Sequence, residues 1–120
     1  MDYMLMFYQS RDDFAMRADP ERAAAYNAGW MAYVQAVYAA GIVKSGDGLQ
    51  PPETATTVRT ADGKRRVQDG PFAESKEQLG GYFVIDVADL DSALAWAARA
   101  PCAATGGVEV RPTLLRQANA

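Results

Sequence analysis

The chain has 120 residues, of which 49% are hydrophobic and 22% are charged. These values are typical of one soluble globular domain and exclude intrinsic disorder. Twelve basic against fifteen acidic residues give a net charge of −3, which argues against direct binding to nucleic acid. There is no histidine, so histidine-based catalysis and histidine-ligated metal sites are excluded. With no nucleotide-binding glycine fingerprint either, we expect no metal and no cofactor.

The single cysteine, Cys102, excludes an internal disulfide. It follows a predicted helix end and has no base near it in sequence, so we interpret it as a buried small residue rather than a nucleophile. No apolar run is long enough to cross a membrane, and the first residues lack the basic segment of a signal peptide. We therefore expect a cytoplasmic protein without a membrane contact.

The first forty residues predict one strand and one long helix. Residues 3–8 are apolar on both alternating faces, which fits a strand covered on both sides and ended by the charges from Arg11. Asp19 and Pro20 predict the start of a helix of about twenty residues, which Gly41 stops. Its apolar stripe can line a ligand pocket, but we favour core packing against a sheet. The stripe consists of Tyr26, Trp30, Tyr33, Val34 and Val37.

The middle of the chain predicts an irregular strand and a hairpin. Glycines on both sides of Asp47 indicate a bulge within residues 42–49, or a backbone that something else approaches closely. The β-branched residues 55–60 predict a strand, and Asp62-Gly63 is a hairpin turn signal. Residues 65–68 then predict the returning strand.

The last third predicts helix and strand in alternation. A short helical piece is expected over 73–79, followed by a strand over 81–87 that is buried on both faces. Asp89 is expected to cap a helix, and 108–111 predict a last strand. The residues of this helix expected to pack inward are Leu90, Leu94, Ala97 and their alanine neighbours.

This order is β-α-β, a hairpin, then β-α-β, which predicts an α+β domain of the ferredoxin-like class. Two helices would cover one face of a mostly antiparallel sheet. The domain is expected over residues 1–112, with a polar tail over 113–120. Because the other sheet face is also apolar, we expect a second copy to cover it and form a homodimer.

Residues 69–77 read DGPFAESKE. This segment resembles the DGPFAETKE pattern of the DGPF branch of the YCII-related proteins, with Ser75 in place of threonine, and supporting matches are spread over most of the chain. The resemblance implies a dimeric α/β-barrel-like assembly of ferredoxin-like subunits and little biochemistry. Because some DGPF proteins are encoded beside sigma factors of the extracytoplasmic-function type, it also implies a regulatory partnership with such a factor.

YCII relatives are proposed to be enzymes with a histidine–aspartate pair in a cleft. This chain lacks the histidine, so such a pair cannot operate here. Asp47 is the candidate for the position of the aspartate. Whether the chain is an enzyme therefore stays open, and any proton transfer must use other side chains. Asp47 and Asp69 are the weak catalytic candidates, acting as carboxylate acid or base.

The loop over 69–77 predicts a cleft for a small anionic metabolite, because arginine suits the recognition of carboxylate or phosphate. We place this cleft between the loop and a sheet face that carries two arginines. Gly70 is expected to let the loop backbone hold a fixed shape. The candidate ligand-binding residues are Arg59, Asp69, Gly70, Phe72 and Arg111.

Each of these residues also has a purely structural interpretation. The arginines can pair with Glu109, Asp69 or Glu74 and lock the loop to the sheet. Asp69 can cap the turn, and Phe72 can anchor the loop. Two classes of function therefore remain: a small-molecule binder or enzyme, and a regulatory interaction protein that acts with an extracytoplasmic-function sigma factor.

Overall fold

The computed structural model describes residues 1–114, which contain six strands and three α-helices. The strands are β1 (Asp2–Ser10), β2 (Val43–Gly48), β3 (Thr56–Ala61), β4 (Lys64–Asp69), β5 (Glu77–Asp86) and β6 (Gly107–Pro112). The helices are α1 (Arg11–Ala18), α2 (Ala23–Ala39) and α3 (Leu90–Ala98). No helix in this range is long and apolar enough to span a membrane.

Four strands form one antiparallel sheet in the order β2-β5-β1-β6. This is the strand order of a ferredoxin-like domain, and it confirms the predicted α+β class. The helices pack on one face, where alternate residues of β1 such as Leu5 and Phe7 are buried against Tyr33 and Val37 of α2. The ring of Phe7 meets that of Tyr33 edge to face, with centroids 5.9 Å apart, an arrangement that adds to the burial of apolar area.

Helix α1 lies where the sequence predicted only the end of a strand. Ser10 caps it, accepting the backbone N–H of Asp13, while the Asp13 carboxylate accepts the backbone N–H of Ser10. The buried Asp13 also accepts the Thr105 hydroxyl at 2.6 Å. The charged segment that begins at Arg11 therefore forms a helix. Its capping box satisfies backbone N–H groups at the helix start that have no partner within the helix.

The start of α2 also differs from the prediction. Asp19 is instead the C-cap residue of α1. Its carboxylate accepts hydrogen bonds from the backbone N–H of Glu21 and from the guanidinium of Arg22. These local bonds hold a turn through Pro20, so α2 begins at Ala23. The predicted stop at Gly41 is confirmed, with a positive φ of 71° there.

In the part of the chain that the structure describes, β3 and β4 pair only with each other and form a separate two-stranded sheet. The predicted Asp62-Gly63 turn is confirmed by positive φ angles of 52° and 73°. The helical piece expected over 73–79 is wrong, because residues 71–76 form bends and β5 starts at Glu77. There Gln78 donates to the carbonyl of Ala73 at 2.7 Å, which fixes the loop to the strand.

Helix α3 begins after the predicted cap, since the Asp89 carboxylate accepts the N–H of Ser92 at 2.8 Å. The inward packing expected of Leu90 and Leu94 is wrong, because both side chains are nearly half exposed. The inward packing expected of Ala97 and its alanine neighbours is confirmed for Ala93 and Ala97, which are both buried.

The sheet face opposite the helices, here called the open face, carries half-buried apolar side chains. They alternate with the core residues of the same strands because successive side chains of a strand point to opposite faces. The open face consists of Met4, Met6, Tyr8, Leu79, Tyr82 and Val84. The expected tail lies outside the described residues from position 115 onward.

Cys102 is confirmed as a buried residue, at 1% exposure. Burial, with the negative charge of Asp13 nearby, raises the pKa of its thiol from 9.0 to about 11. Because the thiol has a higher pKa in the folded state than in the unfolded state, it stabilises the protein at pH values below its ordinary pKa. That stabilisation is lost as the pH rises toward about 11.

We therefore expect the free energy of unfolding of the wild type to fall more steeply than that of Cys102→Ala between about pH 8 and about pH 10.5. Urea unfolding at several pH values in this window measures both slopes. Parallel slopes would show that the thiol titrates normally in the folded protein.

Candidate functional site

A cavity of about 310 Å³ lies between α2 and the sheet, at the end where β1, β2 and β5 meet. We call it the α2 pocket. Aromatic side chains form much of its wall, and glycines form much of its sheet side. Its lining consists of Phe7, Gln9, Arg17, Tyr26, Asn27, Trp30, Val34, Tyr38, Gly46, Asp47, Gly48, Gly80, Gly81, Tyr82 and Phe83. A preformed apolar cavity with a few polar groups is typical of a small-molecule site.

The pocket exists because helix-facing positions of β2 carry no side chain. Gly46 pairs with Phe83, whose ring would lie 2.2 Å from a Cβ added at Gly46. Two residues on, a Cβ added at Gly48 would meet no atom within 4 Å. Gly46 therefore admits the Phe83 ring, and Gly48 leaves open space above the strand.

Arg17 of α1 forms the polar end of the pocket. Its guanidinium donates to the buried Gln9 side chain at 2.7 Å, to the Gly80 carbonyl at 3.2 Å and to the Leu49 carbonyl. All three acceptors are neutral, and within residues 1–114 Arg17 makes no ion pair. The pocket thus contains a half-buried positive charge whose counter-charge the described part of the chain does not supply.

Gly80 is the residue that makes this arrangement possible. It lies at the register shift between β1 and β5, where Phe7 pairs with Gly81 and Tyr8 with Leu79. A Cβ added at Gly80 would lie 2.4 Å from Gln9 Oε1. The bulge therefore brings a bare backbone carbonyl against the guanidinium, where a larger residue would displace its partner.

Tyr26 of α2 has a buried hydroxyl with no hydrogen-bond partner within residues 1–114. The hydroxyl of Tyr33, two turns further along the helix, donates to the Trp96 carbonyl at 2.9 Å. An unpaired buried hydroxyl lowers stability by about 1–3 kcal/mol. The helix wall of the pocket is therefore less stable than it could be.

Asp47 contributes to the pocket lining, but its side chain belongs to the open face. Asp47 pairs with Tyr82 of β5. The next residue, Phe83, faces the helices, so the side chains of Tyr82 and Asp47 point to the opposite face. The Tyr82 hydroxyl donates to the Asp47 carboxylate at 2.9 Å, and this bond raises the pKa of Tyr82. The two side chains form a pair on the side of the sheet opposite the α2 pocket, in which Asp47 is exposed and Tyr82 is half-buried.

The predicted residues of the 69–77 loop lie beside the hairpin. Asp69 ends β4, and Gly70 follows with a φ of 99° and an N–H bond to the Ala55 carbonyl. The ring of Phe72 is largely exposed, and the Arg59 guanidinium stacks on it, 4.4 Å from its centroid. Arg59 thus contacts the loop, through an aromatic ring rather than a carboxylate.

The structure does not bring the two predicted arginines together. Arg59 lies in the two-stranded sheet, whereas Arg111 lies in β6, at the edge of the four-stranded sheet. Arg111 forms an ion pair with Glu109, which is one of its expected structural partners. A groove of about 560 Å³ does lie behind the loop, and Phe72 lines it, but neither arginine does.

Sequence reasoning missed Arg17 and Gln9 because it missed α1. The signal was the serine and aspartate spaced as a capping box at positions 10 and 13. The apolar stripe of α2 serves both of the roles considered for it. Tyr33 and Val37 are core residues, whereas Tyr26, Trp30 and Val34 line the α2 pocket.

A sequence model of the YCII-related domain matches residues 1–115. An uncharacterised protein, R00369 of Rhizobium meliloti (strain 1021), is 49% identical over 69 residues, which span 56% of each chain. A similar solved structure is that of 5-chloro-2-hydroxyhydroquinone dehydrochlorinase from Burkholderia phenoliruptrix AC1100 in complex with 2,5-dihydroxybenzoquinone. It is 13% identical, the match covers 95% of this chain and 94% of that one, and the TM-score is 0.54. That likeness supports the fold.

The two tyrosines of α2 offer a matched pair of substitutions. We expect Tyr26→Phe to raise the free energy of unfolding by about 1 kcal/mol, because it removes a buried hydroxyl without a partner. Tyr33→Phe should lower it by about 1 kcal/mol, because it removes the hydrogen bond from the Tyr33 hydroxyl to the Trp96 carbonyl. Chemical denaturation measures both, and a destabilising Tyr26→Phe would show that the hydroxyl is bonded in solution.

Proposed function

The chain belongs to the YCII-related domain family, and we propose that it binds a small anionic molecule in the α2 pocket. The observation that carries this proposal is the Arg17 guanidinium, half-buried at the polar end of a preformed cavity without a carboxylate partner among residues 1–114. Arginine in such a position recognises carboxylate oxygens well, because its planar donors match their geometry.

The hydrogen bonds of Arg17 leave donors for a ligand. A guanidinium has five N–H donors, and three bonds to neutral acceptors are formed within the described chain. These bonds fix the plane of the group in advance, so an arriving anion does not have to order it. Binding would also supply the negative charge that the site lacks.

A protein with a similar fold that binds a small molecule is consistent with a small-molecule role for this chain. The Burkholderia protein with this fold is a dehydrochlorinase and was solved with a small quinone. In the present chain, Asp47 carries its carboxylate on the other side of the sheet and Asp69 lies at the end of β4. The proposal is therefore one of binding, and it assigns no acid–base step to either carboxylate.

Gly48 gives a direct test of the site. A panel of small carboxylates should raise the melting temperature of the wild type, since a ligand stabilises the state that binds it. Gly48→Val should abolish this rise without unfolding the protein, because its side chain enters open space in the pocket. Gly107→Val is the control, since Gly107 also lies in a strand with no atom within 4 Å of an added Cβ, away from the pocket.

A pair of arginine substitutions tests the charge. Arg17→Gln should weaken anion binding by about tenfold or more, since charge-assisted bonds contribute roughly 1.5–3 kcal/mol. Arg11→Gln changes the same charge on the same helix outside the pocket and should leave binding intact. If no carboxylate shifts the wild-type melting curve at millimolar concentration, or if both variants bind equally, the proposed site is wrong.

A second copy of the chain covering the open face is a further part of the proposal. Six half-buried apolar side chains share this face and are not covered by any helix of the described chain. Contiguous apolar surface of this kind is typical of an interface between proteins. A symmetric pair, sheet against sheet, would bury it in both copies.

We therefore expect the protein to sediment as a dimer of 13.0 kDa chains. Val84→Lys should raise the dissociation constant by more than about tenfold, because it buries an unpaired charge. Val58→Lys, on the hairpin, should leave it unchanged, since Val58 is not part of the open face. A monomer at micromolar concentration, or equal constants for both variants, would contradict this assembly.

A further inference from the structure

We propose that the ligand of the α2 pocket is a ring-bearing monoanion, of which an aromatic monocarboxylate is the simplest case. This inference rests on the proposed function, since it specifies which anions the same site selects. It follows from three features of the lining: its charge count, the chemistry of its wall and the bare floor provided by β2.

The charge count selects a single negative charge. Among the described residues that line the pocket, Arg17 is the one cation, and the only other charged residue is Asp47, whose carboxylate lies on the open face. A second anionic group on the ligand would find no cation in the apolar part of the pocket. An unpaired charge taken out of water is unfavourable, so dicarboxylates and phosphate dianions should bind poorly.

The wall selects a ring. Beyond Arg17, the cavity is bounded by the rings of Phe7, Trp30, Tyr38 and Phe83. Phe7 meets Trp30 edge to face at 5.3 Å, and Tyr38 meets Phe83 edge to face at 5.9 Å. Such pairs leave ring faces and edges available to a further ring, and aromatic contacts contribute beyond the burial of area alone.

The floor selects a shape that lies close to the backbone. Above Gly48 there is no atom within 4 Å of an added Cβ, so a ligand can rest directly on the strand. The space for a ligand is bounded by the backbone of β2 at this glycine and by the packed rings of the aromatic wall. The volume of about 310 Å³ is at the lower end of the range for ligand sites, which suits one or two fused rings.

Four probes of the full-length protein separate these features by isothermal titration calorimetry. Benzoate and 2-naphthoate carry one charge on a flat ring. Cyclohexanecarboxylate keeps the charge and approximate size but is not flat. Terephthalate keeps the flat ring and adds a second charge. We expect both aromatic monoanions to bind about three- to tenfold more tightly than cyclohexanecarboxylate, and terephthalate to bind at least tenfold more weakly than benzoate.

Variants assign the preference to the pocket. Tyr38→Leu removes one ring of the wall from a largely exposed position, so it should reduce the preference for benzoate over cyclohexanecarboxylate while both still bind. Gly48→Val should abolish binding of all four probes, and Gly107→Val should change none of the constants.

The outcomes distinguish this inference from the function on which it rests. If cyclohexanecarboxylate or terephthalate binds as tightly as benzoate, and Gly48→Val abolishes that binding, the ring-monoanion inference is overturned and the α2 pocket remains an anion site. If none of the four probes binds at millimolar concentration, the proposed function fails and the inference fails with it. An unchanged ring preference in Tyr38→Leu would also overturn the assignment of the wall.

Discussion

The contact of Arg17 with the end of the sheet is the interaction on which the site depends. One guanidinium reaches β1 through Gln9, β5 through the Gly80 carbonyl, and the segment after β2 through the Leu49 carbonyl. The contact explains the glycine at the β5 bulge, because a Cβ there would lie 3.0 Å from the guanidinium nitrogen and still closer to Gln9. A charge held by neutral acceptors and by the face of the Phe14 ring is fixed in place without being neutralised, so the arrangement serves an incoming anion better than it serves stability.

The wall of the pocket shows the same balance between stability and function. Helix α2 uses Tyr33 and Val37 for the core, where the Tyr33 hydroxyl is bonded and burial raises its pKa strongly. On the face that lines the pocket, the Tyr26 hydroxyl is buried without a partner among residues 1–114. An unsatisfied polar group in a native structure calls for an explanation, and proteins commonly accept local instability where a ligand acts. The two sets of residues alternate along α2, so one face of the helix stabilises the core and a neighbouring face, with its unpaired hydroxyl, lines the pocket.

Much of the fold follows from the sequence, because the order of apolar runs and turns leaves few topologies. The ferredoxin-like class, the Asp62-Gly63 turn and the Asp89 cap come from local signals of the kind that survive in the folded chain. The candidate sites were harder to predict, because the α2 pocket depends on α1 and the cleft expected between Arg59 and Arg111 depends on where β3 and β4 pair. Alternation correctly places Arg59 and Arg111 on strands, but no local pattern says that their strands belong to different sheets. Pairing between distant strands is a tertiary property, and it separates residues that share a sequence pattern.

Strand β2 shows how a period of two residues lets one short segment serve two surfaces. Gly46 and Gly48 face the helices and create the pocket, whereas Asp47 between them points to the open face and binds the Tyr82 hydroxyl. Because the two surfaces lie on opposite sides of one sheet, a second copy on the open face would leave the α2 pocket unobstructed. A substitution on the open face should therefore act on assembly, and one at a glycine should act on binding, with little coupling between sites that share no partner. The glycines that weaken β2 as a strand are thus what allows assembly and ligand binding to be altered separately.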